Sequence, residues 1–183
     1  MHRPIYLAAL TWFILALVAG GTGLIDALPP LAVPLVLWTL VATLLLLLNF
    51  WPLLRQWADG LDVRALVGLH VLRFVGFYFL YLHAQGRLPY AFAVPGGWGD
   101  IAVASLALPL LFFPGRRALW VWNIFGLVDI LFVVATAGRL VLADPNSMHE
   151  LTVLPLSLLP TFLVPLIIVS HLVLFWRLRR RSS

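Results

Sequence analysis

Leu28-Pro29-Pro30-Leu31-Ala32-Val33-Pro34-Leu35-Val36-Leu37-Trp38-Thr39-Leu40-Val41-Ala42-Thr43-Leu44-Leu45-Leu46-Leu47-Leu48-Asn49-Phe50-Trp51-Pro52-Leu53-Leu54 runs for 27 residues without a charge. A helix crosses the roughly 30 Å hydrocarbon core of a bilayer in about 20 residues. Lipid offers no partner to an open backbone, so a run of this length reads as a membrane-spanning helix. Five more apolar stretches accompany it, and the expected spans are 4–25, 28–54, 65–85, 100–114, 118–140 and 151–176. No segment between them is long enough to fold alone. The expected fold is all-α, a polytopic bundle of six transmembrane helices forming a single integral membrane domain over 1–183.

Composition agrees. Hydrophobic residues make up 63% of the chain and charged residues 10%, against about 25% charged in a soluble domain. The chain has no cysteine, which excludes disulfides, thiolate metal sites and cysteine nucleophiles. Its net charge of +5 is not a nucleic-acid signal, because the basic residues sit mostly at span ends. All 12 basic residues are Arg, which with the Ala, Leu, Gly and Pro richness suggests a bacterial genome rich in G and C. Met1-His2-Arg3 before an apolar run has the outline of a signal peptide. The run is long and no A-x-A pattern closes it, so it reads as the first span.

An even number of spans puts both termini on one side. Arg3, Arg55, Arg64, Arg116, Arg117, Arg177, Arg179, Arg180 and Arg181 fall on that side, and only Arg87 and Arg139 on the other. The positive-inside rule then makes both termini cytoplasmic, in a bacterial inner membrane. Trp51, Trp57, Trp120 and Trp176 gather near the same interface, as an aromatic belt does. The tail Arg177-Leu178-Arg179-Arg180-Arg181 reads as a topology anchor that also meets anionic lipid. The two halves of the chain show no repeat beyond a faint echo of Leu69-His70-Val71-Leu72 in Ser170-His171-Leu172-Val173.

The fourth span is short. From Asp100 to Pro114 is 15 residues, or about 22 Å of helix, against a hydrocarbon core of about 30 Å. The segment before it, Arg87-Leu88-Pro89-Tyr90-Ala91-Phe92-Ala93-Val94-Pro95-Gly96-Gly97-Trp98-Gly99, is apolar, aromatic and broken by Pro and Gly. It is expected to be a re-entrant or interfacial loop between helices 3 and 4, with Asp100 as N-cap of span four. The spaced set Leu88-Pro89, Phe92-Ala93, Pro95, Gly97 and Gly99-Asp100 resembles a family of uncharacterised bacterial multi-span membrane proteins with an LPxxFAxPxGxGD-like outer loop. The resemblance covers residues 70–105. That family has no known activity, so it implies only that the loop and span three belong together.

Charge inside the membrane is the clearest functional signal. Arg73 lies mid-way along span three and Asp129 mid-way along span five. A charge at that depth costs at least about 2.5–3.5 kcal/mol, so each should face the bundle or water and find a partner. The simplest arrangement pairs them, either to fix helix packing or also to line a ligand site. At about 100° per residue, His70, Arg73, Gly76, His83 and Arg87 share an arc of about 140° on span three. Trp122, Gly126, Asp129 and Thr136 share a stripe on span five, with Asn123 about 120° from Asp129. Ser157, Thr161 and His171 share one on span six beside Pro160. Pro155, Pro160 and Pro165 make a bent packing element of that span.

These residues give the expected function. A polar cavity opens outward, bounded by His83, Arg87, the 88–99 loop and Asp100, and floored by Arg73 and Asp129 with His70 nearby. It binds or moves a small anionic or amphipathic molecule, with the arginines as counter-charge. The alternative is an accessory or structural membrane subunit with a membrane-protein partner. A third reading is a small haem- or quinone-binding redox protein, with His70 and His171 as axial ligands of a haem b. The chain carries no H-E-x-x-H, G-x-S-x-G or G-x-x-x-x-G-K-[ST] motif, and Gly96-Gly97-Trp98-Gly99 lacks the spacing of a dinucleotide fingerprint. No metal site and no catalytic residue is expected, and the expected partners are the lipid bilayer, a small molecule and a membrane protein, with no nucleic acid.

Overall fold

The computed structural model describes residues 3–180, so Met1, His2 and the last arginine of the tail, Arg181, lie outside the described residues. The described residues form helices and connections with no strand. In chain order the helices are α1 (Arg3–Gly21), α2 (Ala32–Phe50), α3 (Pro52–Gly60), α4 (Val63–Ala84), α5 (Tyr90–Phe112), α6 (Arg116–Ala143) and α7 (Leu159–Arg180). All but α3 are long and apolar enough to cross a membrane, so six candidate spans stand where the sequence puts them. The expected span 28–54 divides at Trp51 into α2 and the short α3, whose Leu, Arg, Gln and Trp residues are mixed rather than apolar throughout. The expected sixth span starts later, at Leu159, because residues 152–157 form turns and a bend.

The chain packs as two compact units. Among the described residues, one comprises 3–58 and 138–169 and the other 59–137 and 170–180. In the first unit, Trp12 of α1 donates its indole N–H to the Thr161 carbonyl at 2.9 Å, and the Trp12 and Phe13 rings both pack on Phe162. Thr161 lies in a π-type turn, Leu159–Leu163, that opens α7, and such wide turns displace carbonyls from the regular ladder. At the other end of α1, a methyl group on Gly20 would collide with the Ser157 hydroxyl. Thr152 donates to Asp26 at 2.6 Å and His149 stands 3.1 Å from the same carboxylate, which ties the 22–31 and 144–158 connections together. Leu7, Leu10, Leu35 and Leu46 are exposed on α1 and α2, as side chains facing lipid must be.

The second unit holds Arg73, Asp100 and Asp129. Asp62 caps α4 by accepting from the Arg64 N–H at 2.9 Å. The helix then narrows to a 3-10 segment, His70–Val75, before returning to α-helix. It stops at Gly86, whose φ of 70° only glycine adopts readily. The Gly86 and Arg87 amides reach back to the His83 and Leu82 carbonyls at 2.8 and 2.9 Å, closing a Schellman motif.

The segment expected as a loop is helix. Pro89, in extended conformation, accepts the Phe92 and Ala93 amides, and α5 continues unbroken from Tyr90 to Phe112. Asp100 is therefore the eleventh residue of a 23-residue helix and not its N-cap. Residues 90–99 are thus helix and not an irregular loop. The physical reason is the absence of water. An apolar backbone at depth must satisfy its own amides, and here Pro95 forgoes one bond while the glycines serve as contact surface. Gly97 lies against the Gly76 backbone and the Leu80 side chain, and Gly96 against Val133.

Candidate functional site

Arg73 sits in the 3-10 segment of α4 and is 1% exposed. Its Nε–H donates to Asp100 Oδ1 at 2.6 Å, its Nη1–H to the Gly126 carbonyl at 3.0 Å, and its Nη2–H to Asp129 Oδ2. One guanidinium thus holds two carboxylates and a backbone carbonyl from α5 and α6. The expected Arg73–Asp129 pair is present, and Asp100 joins it. Arg suits this role because its planar fork directs several N–H groups at once.

The 3-10 segment explains the aim. Three residues per turn stack positions three apart in one line, and His70, Arg73 and Gly76 are all buried. A 3-10 segment turns each residue about 20° further than an α-helix does, so six residues add about 120°. The expected arc from His70 to Arg87 is not buried along its whole length. Phe79 and Leu82 continue the buried line, while Arg87 is exposed and His83 half-buried. His83 Nδ1 lies 3.0 Å from the Leu88 carbonyl and its ring meets Tyr90, so it joins α4 to the start of α5 and does not line the charged cluster. The segment expected as the 88–99 loop meets α4 as helix, with Gly97 against Gly76.

Asp100 reaches the cluster because its helix begins at Tyr90, ten residues before the expected start. With α4 and α5 antiparallel, Arg73 precedes Gly76 by three residues and Asp100 follows Gly97 by three. The Gly76–Gly97 contact therefore fixes Arg73 opposite Asp100. A helix reading of 90–112 would have found that register, and His83 opposite Tyr90 belongs to it as well.

One turn along α4 lies a second buried polar layer. His70 Nε2 is 3.0 Å from the Ser170 hydroxyl, and His171 Nδ1 is 2.8 Å from Asn123 Oδ1. Asn123 Nδ2 donates to the His171 carbonyl at 3.1 Å. That bond orients the amide, so Oδ1 can only accept and His171 must carry its proton on Nδ1. The opposite nitrogen, Nε2, lacks a partner, as does His70 Nδ1. His171 Nε2 is pressed against Gly126, where a methyl group would stand 2.9 Å from it. The same glycine gives its carbonyl to Arg73, so Gly126 joins the two layers. Trp122 closes the layer, donating to the Val103 carbonyl at 3.0 Å with its ring on His70.

The haem reading does not fit this geometry. The His70 and His171 rings touch, with centroids 4.2 Å apart. Axial ligands on opposite faces of one haem must be held apart by the iron and the macrocycle. The nitrogens facing Ser170 and Asn123 are also already engaged. Among the described residues no group of three or more His, Cys, Asp or Glu side chains is placed to hold a metal ion.

A family model described as a domain of unknown function, DUF8737, matches residues 6–179, which extends the likeness from the 70–105 segment to nearly the whole chain. No curated protein and no solved structure matches the chain.

Proposed function

We propose that this chain, which belongs to the DUF8737 family, is a bacterial inner-membrane protein that reversibly binds a proton or small monovalent cation at Arg73, Asp100 and Asp129 and carries it across the membrane. The observation that supports this reading is the charge count. Two carboxylates converge on one guanidinium, whose three named donors are already engaged. With both carboxylates ionised the cluster carries one negative charge in excess, and a buried excess charge demands neutralisation. A proton or cation adds to the cluster. The small anion expected with the arginines as counter-charge would first have to displace a carboxylate from Arg73. Asp129, at 10% side-chain exposure against 4% for Asp100, is the more accessible acid. Nine arginines against two support cytoplasmic termini.

The test uses the purified protein in liposomes enclosing a pH-sensitive dye, with a potassium gradient clamped by valinomycin. Wild type should relax an imposed pH gradient, or one of sodium, faster than empty liposomes, and Asp129→Asn should not. Equal rates for wild type, variant and empty liposomes would sink the reading.

One observation favours a second reading, that of an accessory subunit. Arg73 also binds the Gly126 backbone, which staples α4 to α6 whether or not anything else binds. Under that reading gradients are unaffected, and Arg73→Gln loses a co-purifying membrane partner that Asp129→Asn retains.

A further inference from the structure

At one end of the second unit, three contacts bring separate chain segments together. Arg116 at the start of α6 donates to the Leu178 carbonyl at 3.3 Å. Arg177 donates to the Leu61 carbonyl at 2.6 Å, and Arg180 stands 3.5 Å from Asp59. The α6 start, the α7 end and the connection before α4 therefore share this end. Among the described residues, Arg64, Arg116, Arg117, Arg177, Arg179 and Arg180 come to it with two carboxylates, Asp59 and Asp62. The basic excess has a shape. A crevice along α7 is lined by Leu172, Phe175, Trp176, Arg179 and Arg180, apolar residues first and arginines last along the helix. Trp120 packs on Phe175 behind it, and the Arg180 guanidinium lies 4.3 Å over the Trp176 ring.

The geometry points to a binding site for one anionic phospholipid, its phosphate at Arg179 and Arg180 and its first acyl carbons against Leu172 and Phe175. This assignment is independent of the Arg73 cluster. A topology anchor needs only charge near the headgroups. Here charge, an indole and an apolar wall occur in the order in which a phospholipid presents phosphate, glycerol and chain. Arg is suited to the phosphate because its fork pairs with two oxygens, and Trp and Arg side chains settle with an apolar body in lipid and a polar end in water. Arg180 keeps its contact with Asp59 at roughly half exposure, so a lipid phosphate meets it from the open side.

The probe is native mass spectrometry of the full chain released from micelles containing equal phosphatidylglycerol and phosphatidylcholine. Wild type should retain one phosphatidylglycerol in preference. An arginine near an anionic surface contributes about a fivefold preference. Arg179→Gln with Arg180→Gln should therefore lower the ratio by about 25-fold, and Arg139→Gln should leave it unchanged. Arg179→Lys with Arg180→Lys keeps the charge and should restore most of the preference, which separates lost charge from lost fold. Glycerol phosphate without chains should not compete where short-chain phosphatidylglycerol does. Equal retention of the two lipids, an unaffected Gln double variant, a Lys double variant as impaired as the Gln one, or full competition by glycerol phosphate would each overturn the proposal.

Discussion

Arg73 reaches two carboxylates that lie on different helices, and the three residues do not have equal weight. Removing the guanidinium leaves two buried carboxylates with no cation between them. Removing either carboxylate leaves one complete ion pair. Breaking a buried pair from one side costs about 3–5 kcal/mol, whereas losing one hydrogen bond to a charged group costs about 1.5–3 kcal/mol. Arg73→Gln is expected to lose the larger amount, and Asp100→Asn or Asp129→Asn the smaller. Asp100→Asn combined with Asp129→Asn should be as damaging as Arg73→Gln, because it leaves the arginine alone. Equilibrium unfolding of the four variants in mixed micelles measures the order, and an Asp129→Asn loss matching that of Arg73→Gln would contradict it. A similar argument applies to Asn123, which takes the His171 Nδ1 proton in a fully buried layer. Asn123→Ala strands that donor and should cost about 1–3 kcal/mol by the same measurement. Arg73 and Asp129 could be matched from sequence because each is a charge deep in an apolar span. Asp100 could not, because four glycines and prolines before it read as breakers when their role is contact.

Within a helix, those small residues decide how closely α4 and α5 approach. A side chain on Gly76 would run into the Gly97 carbonyl, which is backbone and cannot swing aside. Gly76→Ala should therefore open the α4–α5 contact and draw Arg73 away from Asp100. Overpacking of this kind costs about 1–3 kcal/mol. Gly138 of α6 is the control, because in the described residues nothing stands within 4 Å of a methyl group added there. Gly138→Ala should be neutral or stabilise by up to about 1 kcal/mol through helix propensity. Thermal denaturation of the pair in one detergent reads the contrast, and a Gly76→Ala protein as stable as wild type would mean that α4 and α5 do not meet at these glycines. The 3-10 turns of α4 belong to the same contact. No residue between His70 and Val75 is a helix breaker, so a constant 100° step was the natural reading. Packing tightens the helix there and keeps His70, Arg73 and Gly76 in one buried line. Tertiary contact outranked local preference, and a sequence carries little trace of that.

Across the whole molecule, span number was legible because hydrophobicity needs no partner to be read. A run such as 28–54 declares itself, and six helices of sufficient length and apolarity stand in the structure. Orientation is a further step, and it rests on where the arginines fall. The absence of cysteine makes it directly measurable, since a single introduced thiol has no competitor. Gln56 and Gly115 are exposed between α2 and α4 and between α5 and α6, and Gln85 and Asn146 are exposed in two of the three alternate connections. With both termini cytoplasmic, Gln56→Cys and Gly115→Cys should be silent to an impermeant maleimide in intact spheroplasts and react once the membrane is opened. Gln85→Cys and Asn146→Cys should react before opening. The reverse pattern would invert the protein and put the basic crevice on the outer leaflet. A mixed pattern, with Gln56 and Gln85 labelled from one side, would remove α4 from the set of spans. Arg73 would then not lie at membrane depth, and the cost that makes its two carboxylates necessary would disappear.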